Sequence, residues 1–415
     1  MSTLYQLWKS LLKCIGIHQL EPKIYTQDQH SIQPKRIQQA AFKIASVLKA
    51  SGYDGYVVGG AIRDILIGKH PKDFDVVTNA EPEKIKTLFK RAMIIGRRFK
   101  IVHITIGHHT LEVSTFRSKR QGKINQDGMR INDNIYGSMN EDILRRDFTI
   151  NGLYYDPVEL KLYDFLGALD DIQAKIIRVI GQPKERFRED PVRMLRAARL
   201  SAKLNFDIDT PCLEAIGEMK HLLAKVSSDR LSLEIQKLFY GGYGQQSLEK
   251  LYSLGLFQIL FPQTHACIEN PKTASKTKLM LSQAMYNADK RHQLSKSLST
   301  AFLYATLLWW PLKERLRALN PRDNNYLTKY VDACHHIIST QQNTTSIPKK
   351  IVDGIISIWK FQITFTKGEP LDPARLIHAP RFRAALDLLV LRAHINEPVW
   401  WQAQKWHQLT NEITH

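Results

Sequence analysis

Cysteine is scarce and scattered. The four residues, Cys14, Cys212, Cys267 and Cys334, are too far apart for a paired-cysteine metal knuckle or a dense disulfide framework, which suits a reducing cytoplasm. Long apolar runs are missing too: nothing reaches the roughly eighteen uninterrupted apolar residues of a spanning helix. No internal repeat is present. Acidic residues are in deficit, 40 Asp and Glu against 59 Lys and Arg, for a formal charge of +19. That excess implies a polyanionic partner, because phosphate neutralisation drives non-specific, salt-sensitive binding. Nucleic acid and an anionic lipid surface both fit, and charge alone does not choose between them. The apolar share of 43% excludes wholesale disorder, and 415 residues suffice for two or more packed domains.

The opening stretch Leu4 to Ile15 places apolar residues at helical spacing. It is too polar for a secretory signal and lacks a small-residue cleavage site. As a helix it could associate weakly with a membrane surface. Packing on its own protein, or loose order, is the commoner fate of such a segment.

The chemistry concentrates in Tyr56-Val-Val-Gly-Gly-Ala-Ile-Arg-Asp64 and Lys72-Asp-Phe-Asp-Val76. Tyr56, Val57 and Val58 form a short apolar, β-branched run that predicts a buried strand. Gly59 and Gly60 allow backbone angles other residues avoid and let a ligand approach the main chain. A helix starting at Ala61 aims free N–H groups at an anion such as a triphosphate. Arg63, in its first turn, can add a charge-assisted contact. On its own, such a turn is more often plain architecture. Asp73 and Asp75, one residue apart on an expected strand, change that reading, since both side chains point to the same face. Two close carboxylates repel unless a cation lies between them, and magnesium takes a few carboxylates together with phosphate oxygens and water. Two such ions can clamp the attacking and leaving oxygens of a phosphoryl transfer.

A third carboxylate has two candidates. Glu112 lies in a strand-like run from Thr110 to Phe116 that follows His103–Ile106 through a hairpin turn at Gly107-His-His109. A carboxylate set into a sheet between apolar neighbours needs a cation or a partner. Asp147, in Arg145-Arg-Asp-Phe-Thr-Ile-Asn151, is placed with Asp73 and Asp75 as the third catalytic carboxylate, with Glu112 as its rival; an N-cap or a salt bridge to its arginines is its plainer reading. Farther on, Glu189-Asp-Pro-Val-Arg-Met-Leu-Arg-Ala-Ala-Arg199 lines up Arg193, Arg196 and Arg199 along one helical face.

Gly-Gly, Asp-Phe-Asp and an apolar-Glu-apolar strand, in this order, resemble the nucleotidyltransferase superfamily. The segments 145–151 and 189–199 narrow the resemblance to the class II branch of bacterial CCA-adding tRNA nucleotidyltransferases and poly(A) polymerases. Ile94-Ile-Gly-Arg-Arg-Phe-Lys-Ile-Val-His103 and the segments 302–311 and 380–393 look more like the poly(A) polymerases. The likeness runs from about Gln27 to near the C-terminus, which closes on a mixed polar segment where those polymerases often carry an arginine-rich tail.

The resemblance implies an α+β fold, with a small mixed-sheet head followed by a mainly helical neck, body and RNA-binding region. It divides the chain into an N-terminal extension (1–33), a catalytic head (34–168), a helical nucleotide- and RNA-binding neck (169–262) and a helical RNA-binding body (263–415). It implies template-independent addition of AMP from ATP to RNA 3′ ends in a bacterial cytoplasm. Two Mg²⁺ ions would be held by Asp73 and Asp75. Arg146 and Asn151 would lie at the sugar and phosphates, and Asp190 and Arg193 at the incoming base, with Arg196 and Arg199 adding charge. Arg97, Arg98 and Lys100 are candidates for the RNA strand. The basic loop 117–130 is read as a mobile lid or a linker.

CCA addition to tRNA is the alternative activity, and an RNA-binding protein with an inactive core is the non-enzymatic one. Trp309, Trp310, Trp400 and Trp401 sit among apolar residues, so packing is expected of them before base stacking. The adjacent pairs His108-His109 and His335-His336 face apart and make poor joint metal ligands.

Overall fold

The computed structural model describes residues 20–96, 100–118, 135–366 and 373–414. The segment Leu4–Ile15, the residues Arg97 and Arg98, and most of the basic loop 117–130 lie outside them.

The chain forms two compact units, Met1–Pro183 and Lys184–His415. The first is built on an eight-stranded mixed sheet. Its strands are β1 (Lys23–Tyr25), β2 (Tyr56–Val58), β3 (Asp75–Thr78), β4 (Ala92–Ile95), β5 (Ile101–Ile106), β6 (His109–Thr115), β7 (Leu153–Asp156) and β8 (Lys161–Asp164). Their order across the sheet is β1-β8-β7-β2-β3-β6-β5-β4. The pairing of β3 with β6 is parallel, whereas β2 pairs antiparallel with both β3 and β7. The β5–β6 hairpin turns at Gly107 with φ 61°, as the spacing predicts.

Alternation along the strands sorts side chains onto two faces. Val57, Val76, Leu111 and Val113 join one apolar core with Ala41, Ile44 and Leu48 of α1 (Gln39–Ala50). Those three residues share one face of the helix, which is the stripe that seals this side of the sheet. Tyr56, Val58, Val77 and Tyr154 belong to a second, smaller core on the other face, with Phe116 and Ile143. Asp75 and Glu112 are one residue out of phase with Val76, Leu111 and Val113, so they emerge on this second face.

The part of the N-terminal segment that is described belongs to the head: Lys23–Tyr25 pairs with β8, and Ile32 is fully buried. The head also keeps residues 169–183, so the compact division falls at 183/184 against the 168/169 expected from the patterning. The reason is local. Thr149 Oγ1 donates to Asp171 Oδ2 at 2.6 Å, and Arg178 pairs with the same carboxylate at 3.2 Å, tying this stretch to the head.

The second unit is helical. The helices that matter below are α4 (Val192–Leu204), α5 (Ser228–Phe239), α6 (Ala274–Gln293), α7 (Lys349–Thr366), α8 (Phe382–His394) and α9 (Trp400–Thr414). In α4, Val192, Met194, Leu195, Ala197, Ala198, Leu200 and Leu204 are all buried, so apolar residues surround most of this helix. No helix among the described residues is long and apolar enough to cross a membrane.

Candidate active site

The glycine turn leaves β2 and enters a helix, α2 (Gly60–Leu66), that starts one residue earlier than expected, with Gly59 as its N-cap. Gly59 has φ 70° and ψ −134°, a conformation open to glycine and costly for any residue with a side chain. A Cβ built there would also stand 3.6 Å from Arg146 Nη1. The turn and Arg146 are therefore neighbours, although the sequence separates them widely.

Arg63 does not reach outward as the sequence suggests. It is 3% exposed, and its Nε and Nη2 donate to Asp64 Oδ1 at 2.9 and 2.6 Å. Its Nη1 donates to Asn151 Oδ1. Asn151 Nδ2 then donates to Asp147 Oδ1 at 3.0 Å, and that same oxygen accepts the Phe148 N–H at 2.9 Å. Arg63, Asn151 and Asp147 thus form one internal network beneath the glycine turn. A charge this deeply buried stands only because a carboxylate and an amide oxygen compensate it.

The carboxylates meet on the sheet. Strand register sets Asp75 directly beside Glu112 and, on its other side, beside Val58. Asp73 precedes the strand and is exposed, as are Asp75 and Glu112. Although solvent reaches Asp75, the surrounding protein desolvates its carboxyl and pushes its pKa above the ordinary value. The neighbouring charges of Glu112 and Asp73 add to that rise, and Arg146 opposes it. Crowded negative charge of this kind is what a hard cation relieves. Among the described residues, no three His, Cys, Asp or Glu side chains group closely enough to hold a metal alone.

Arg146 is the site's fixed cation. It follows a helix, α3 (Met139–Arg145), that starts on a capping box in which Ser138 Oγ accepts the Glu141 N–H and Glu141 returns to the Ser138 N–H. Arg146 Nε donates to Tyr154 Oη at 2.9 Å, Nη2 donates to Asp142 Oδ2 at 3.0 Å, and the guanidinium lies 4.9 Å from the Tyr154 ring centre. Burial works against its charge, but Tyr154 and Asp142 outweigh burial and raise its pKa.

The second unit holds the remaining candidates. Asp190 takes Arg230 Nη2 on both oxygens at 3.0 Å. Arg193 is 8% exposed and donates to the Arg186 carbonyl at 2.8 Å and to Glu189 at 2.9 Å. Arg196 and Arg199 approach the two oxygens of Glu234 at 3.6 and 3.4 Å, and Lys237 joins at 3.4 Å. Glu234 is 4% exposed, so one buried carboxylate on α5 gathers Arg196 and Arg199 of α4. The sequence reading missed Arg230 and Glu234. Their signal, an arginine and a glutamate four apart on one helix face, is too common to stand out alone.

Lys100 pairs with Glu83. Trp309 and Trp310 are buried, as their apolar neighbours imply. Trp400 and Trp401 are not: they are 53% and 79% exposed, because the helix they open turns both rings outward.

Three sequence families match the chain. The Poly A polymerase head domain covers residues 55–178, the probable RNA and SrmB-binding site of polymerase A covers 205–268, and the polymerase A arginine-rich C-terminus covers 322–413. The poly(A) polymerase I of Salmonella typhimurium is 38% identical over 395 residues, spanning 91% of this chain and 84% of its own. The chain belongs to the poly(A) polymerase I family. The Haemophilus influenzae member is 36% identical over 91% of this chain and 85% of its own. Similarity to CCA-adding enzymes is shorter: that of Bacillus pumilus is 35% identical over 53% of this chain and 54% of its own. The Bacillus stearothermophilus CCA-adding enzyme in complex with CTP superposes with a TM-score of 0.60 at 25% identity, over 92% of this chain and 83% of that one. A tRNA nucleotidyltransferase complexed with a primer tRNA and an incoming ATP analog shares the fold, with a TM-score of 0.58 at 22% identity, over 89% of this chain and 99% of that one. The poly(A) polymerase I family thus accounts for both the mixed-sheet head and the helical remainder, and the chain is a nucleotidyltransferase.

Proposed function

We propose that this chain adds AMP from ATP to RNA 3′ ends, without a template, in the bacterial cytoplasm. The observation that carries the reading is the alignment of Asp75 and Glu112 in register on the sheet face, with Asp73 just before the strand. Asp73 and Asp75 would hold the metal together with phosphate oxygens and water, Glu112 adds its negative charge beside Asp75, and Asp147 serves the network that braces the turn. Magnesium bound there supplies charge neutralisation for the triphosphate and a lowered pKa for the RNA 3′-hydroxyl.

The protein's own residues do the rest. Gly59 and Gly60 let the phosphates approach the main chain, where Arg146 stands beside the turn. Arg63 and Asn151 act from below, holding the turn in shape. The 3′-oxygen attacks the α-phosphorus in line, a new P–O bond forms, and pyrophosphate leaves. Asp190 and Arg193, which the resemblance assigns to base recognition, are oriented by Arg230 and Glu189. Sequencing the products of an RNA primer incubated with separate ATP and CTP pools tests this reading. Untemplated runs of A are expected; a single C-C-A on tRNA alone overturns it in favour of the CCA-adding activity.

A further inference from the structure

The strand register that brings Asp75 beside Glu112 continues one strand farther. His103 of β5 is the register partner of Glu112 on its other side, within the antiparallel hairpin. Directly opposed residues on a pleated sheet share a face, so Asp75, Glu112 and His103 stand in one row on the face opposite the α1 core. Val102 and Ile104 are buried in that core, which leaves the imidazole between them in sequence on the Glu112 side. His103 Nε2 lies 3.5 Å from Glu112 Oε1.

No role described so far uses this histidine. Its Nε2 is closed to solvent and has no hydrogen-bond partner among the described residues. A buried ring nitrogen left unpaired is costly, and Glu112 is the group placed to satisfy it. On the other flank the register partner is Met93, which is exposed and offers only a weakly accepting thioether. A small rotation of the His103 or Glu112 side chain closes the gap. Hydrogen bonds at reaction centres are often long before the substrate is in place.

Glu112 needs such a restraint. Its side chain is 56% exposed, and a glutamate beside the like charge of Asp75 turns towards water unless a donor holds it. Geometry also separates this role from metal binding. Strands lie about 4.8 Å apart, so His103 and Asp75 are roughly 10 Å from each other across Glu112. Among the described residues, no three His, Cys, Asp or Glu side chains group as metal ligands, this row included. His103 therefore acts through Glu112, as outer partners that orient charged groups at a metal site do.

We propose that His103 is a positioning residue for nucleotidyl transfer: its Nε2–H donates to Glu112 and keeps that carboxylate beside Asp75. The proposal rests on the reading of Asp73, Asp75 and Glu112 as the reaction centre.

Two measurements on the full-length protein test it. The first is a double-mutant cycle in kcat for AMP incorporation. His103→Leu is expected to lower kcat about tenfold with KM for ATP nearly unchanged. In a Glu112→Ala background the same substitution is expected to change kcat by less than about twofold, because the acceptor is gone. His103→Gln, whose amide N–H donates from a similar reach, is expected to recover most of the loss. Thr105→Val removes the neighbouring cross-strand bond between Thr105 Oγ1 and Thr110 Oγ1, at 3.0 Å, and controls for disturbance of the hairpin. Additive losses in the cycle overturn the proposal. So does an equal loss in Thr105→Val, or a His103→Gln variant as slow as His103→Leu.

The second measurement needs neither metal nor nucleotide. Imidazole-nitrogen NMR of the histidine-labelled, metal-free protein is expected to show His103 protonated on Nε2, with its signal shifted in Glu112→Ala. An Nε2 signal indifferent to Glu112→Ala overturns the contact. Normal turnover by Glu112→Ala instead sinks the reading of the reaction centre, while the NMR comparison still decides the contact.

Discussion

Asp75 and Glu112 are register partners across the parallel pairing of β3 and β6, and Asp147 is engaged elsewhere, by Asn151 and the Phe148 N–H. That arrangement separates two carboxylates that sequence spacing left level.

Glu112→Gln is therefore expected to lower kcat by about 100-fold or more, the scale of losing a charge-stabilising group at a reaction centre, with little change in Tm. Asp147→Asn is expected to act mainly on stability. It weakens the acceptor for Asn151 and costs about 1–2 kcal/mol. Steady-state kinetics and thermal melts of the two variants check this. A Tm loss confined to Glu112→Gln would reverse the assignment.

Arg63 is a buried strut, so its removal should register without nucleotide. Arg63→Ala removes the buried guanidinium that Asp64 and Asn151 accept from and is expected to cost about 3 kcal/mol or more. A denaturant titration of the ligand-free protein measures it. Unchanged stability together with a raised KM for ATP would instead mark Arg63 as a phosphate ligand.

Gly59→Ala forces a side chain into a backbone conformation that tolerates none. The expected cost is about 1–3 kcal/mol, with a rise in KM for ATP as the turn relaxes away from Arg146. Calorimetry and ATP titration of the variant test both parts.

In the second unit, Glu397 is 4% exposed and accepts from Trp309 Nε1 at 3.1 Å, Lys313 Nζ at 2.8 Å and Arg392 Nε at 3.1 Å. Burial favours its neutral form, but Arg392 and Lys313 outweigh burial and hold its pKa below 4.5. A depressed carboxylate pKa stabilises the fold above the unfolded value, and the benefit is lost as pH falls through the folded value. Glu397→Gln is expected to cost about 3 kcal/mol at neutral pH, and the gap to wild type should narrow below pH 4.5. Melts across pH 3 to 7 provide the check, on the order of one curve per pH unit.

Much of the head was legible because its signals are local. Tyr56–Val58, the glycine turn, and the hairpin at Gly107 each declare themselves within a few residues. The arginine helix at 192–204 was legible for the same reason. What stayed hidden depends on contacts between distant segments. The side-by-side placement of Asp75 and Glu112 needs the register of β3 on β6. The inward turn of Arg63 needs Asn151, and the restraint on Asp190 needs Arg230. Trp400 and Trp401 misled in the other direction: apolar neighbours in sequence suggested burial, but a helix terminus can present both rings to solvent.

The position of the catalytic strands within the sheet has a kinetic consequence. In the order β1-β8-β7-β2-β3-β6-β5-β4, the strands carrying the glycine turn and the carboxylates are flanked on both sides. Local opening begins where backbone groups have a partner on one side only, at the three-residue β1 and at β4. Amide protons of Val76 and Val113 should then exchange among the slowest in the head and those of β1 and β4 among the fastest, so the rims can open and close without disturbing the alignment of the carboxylates.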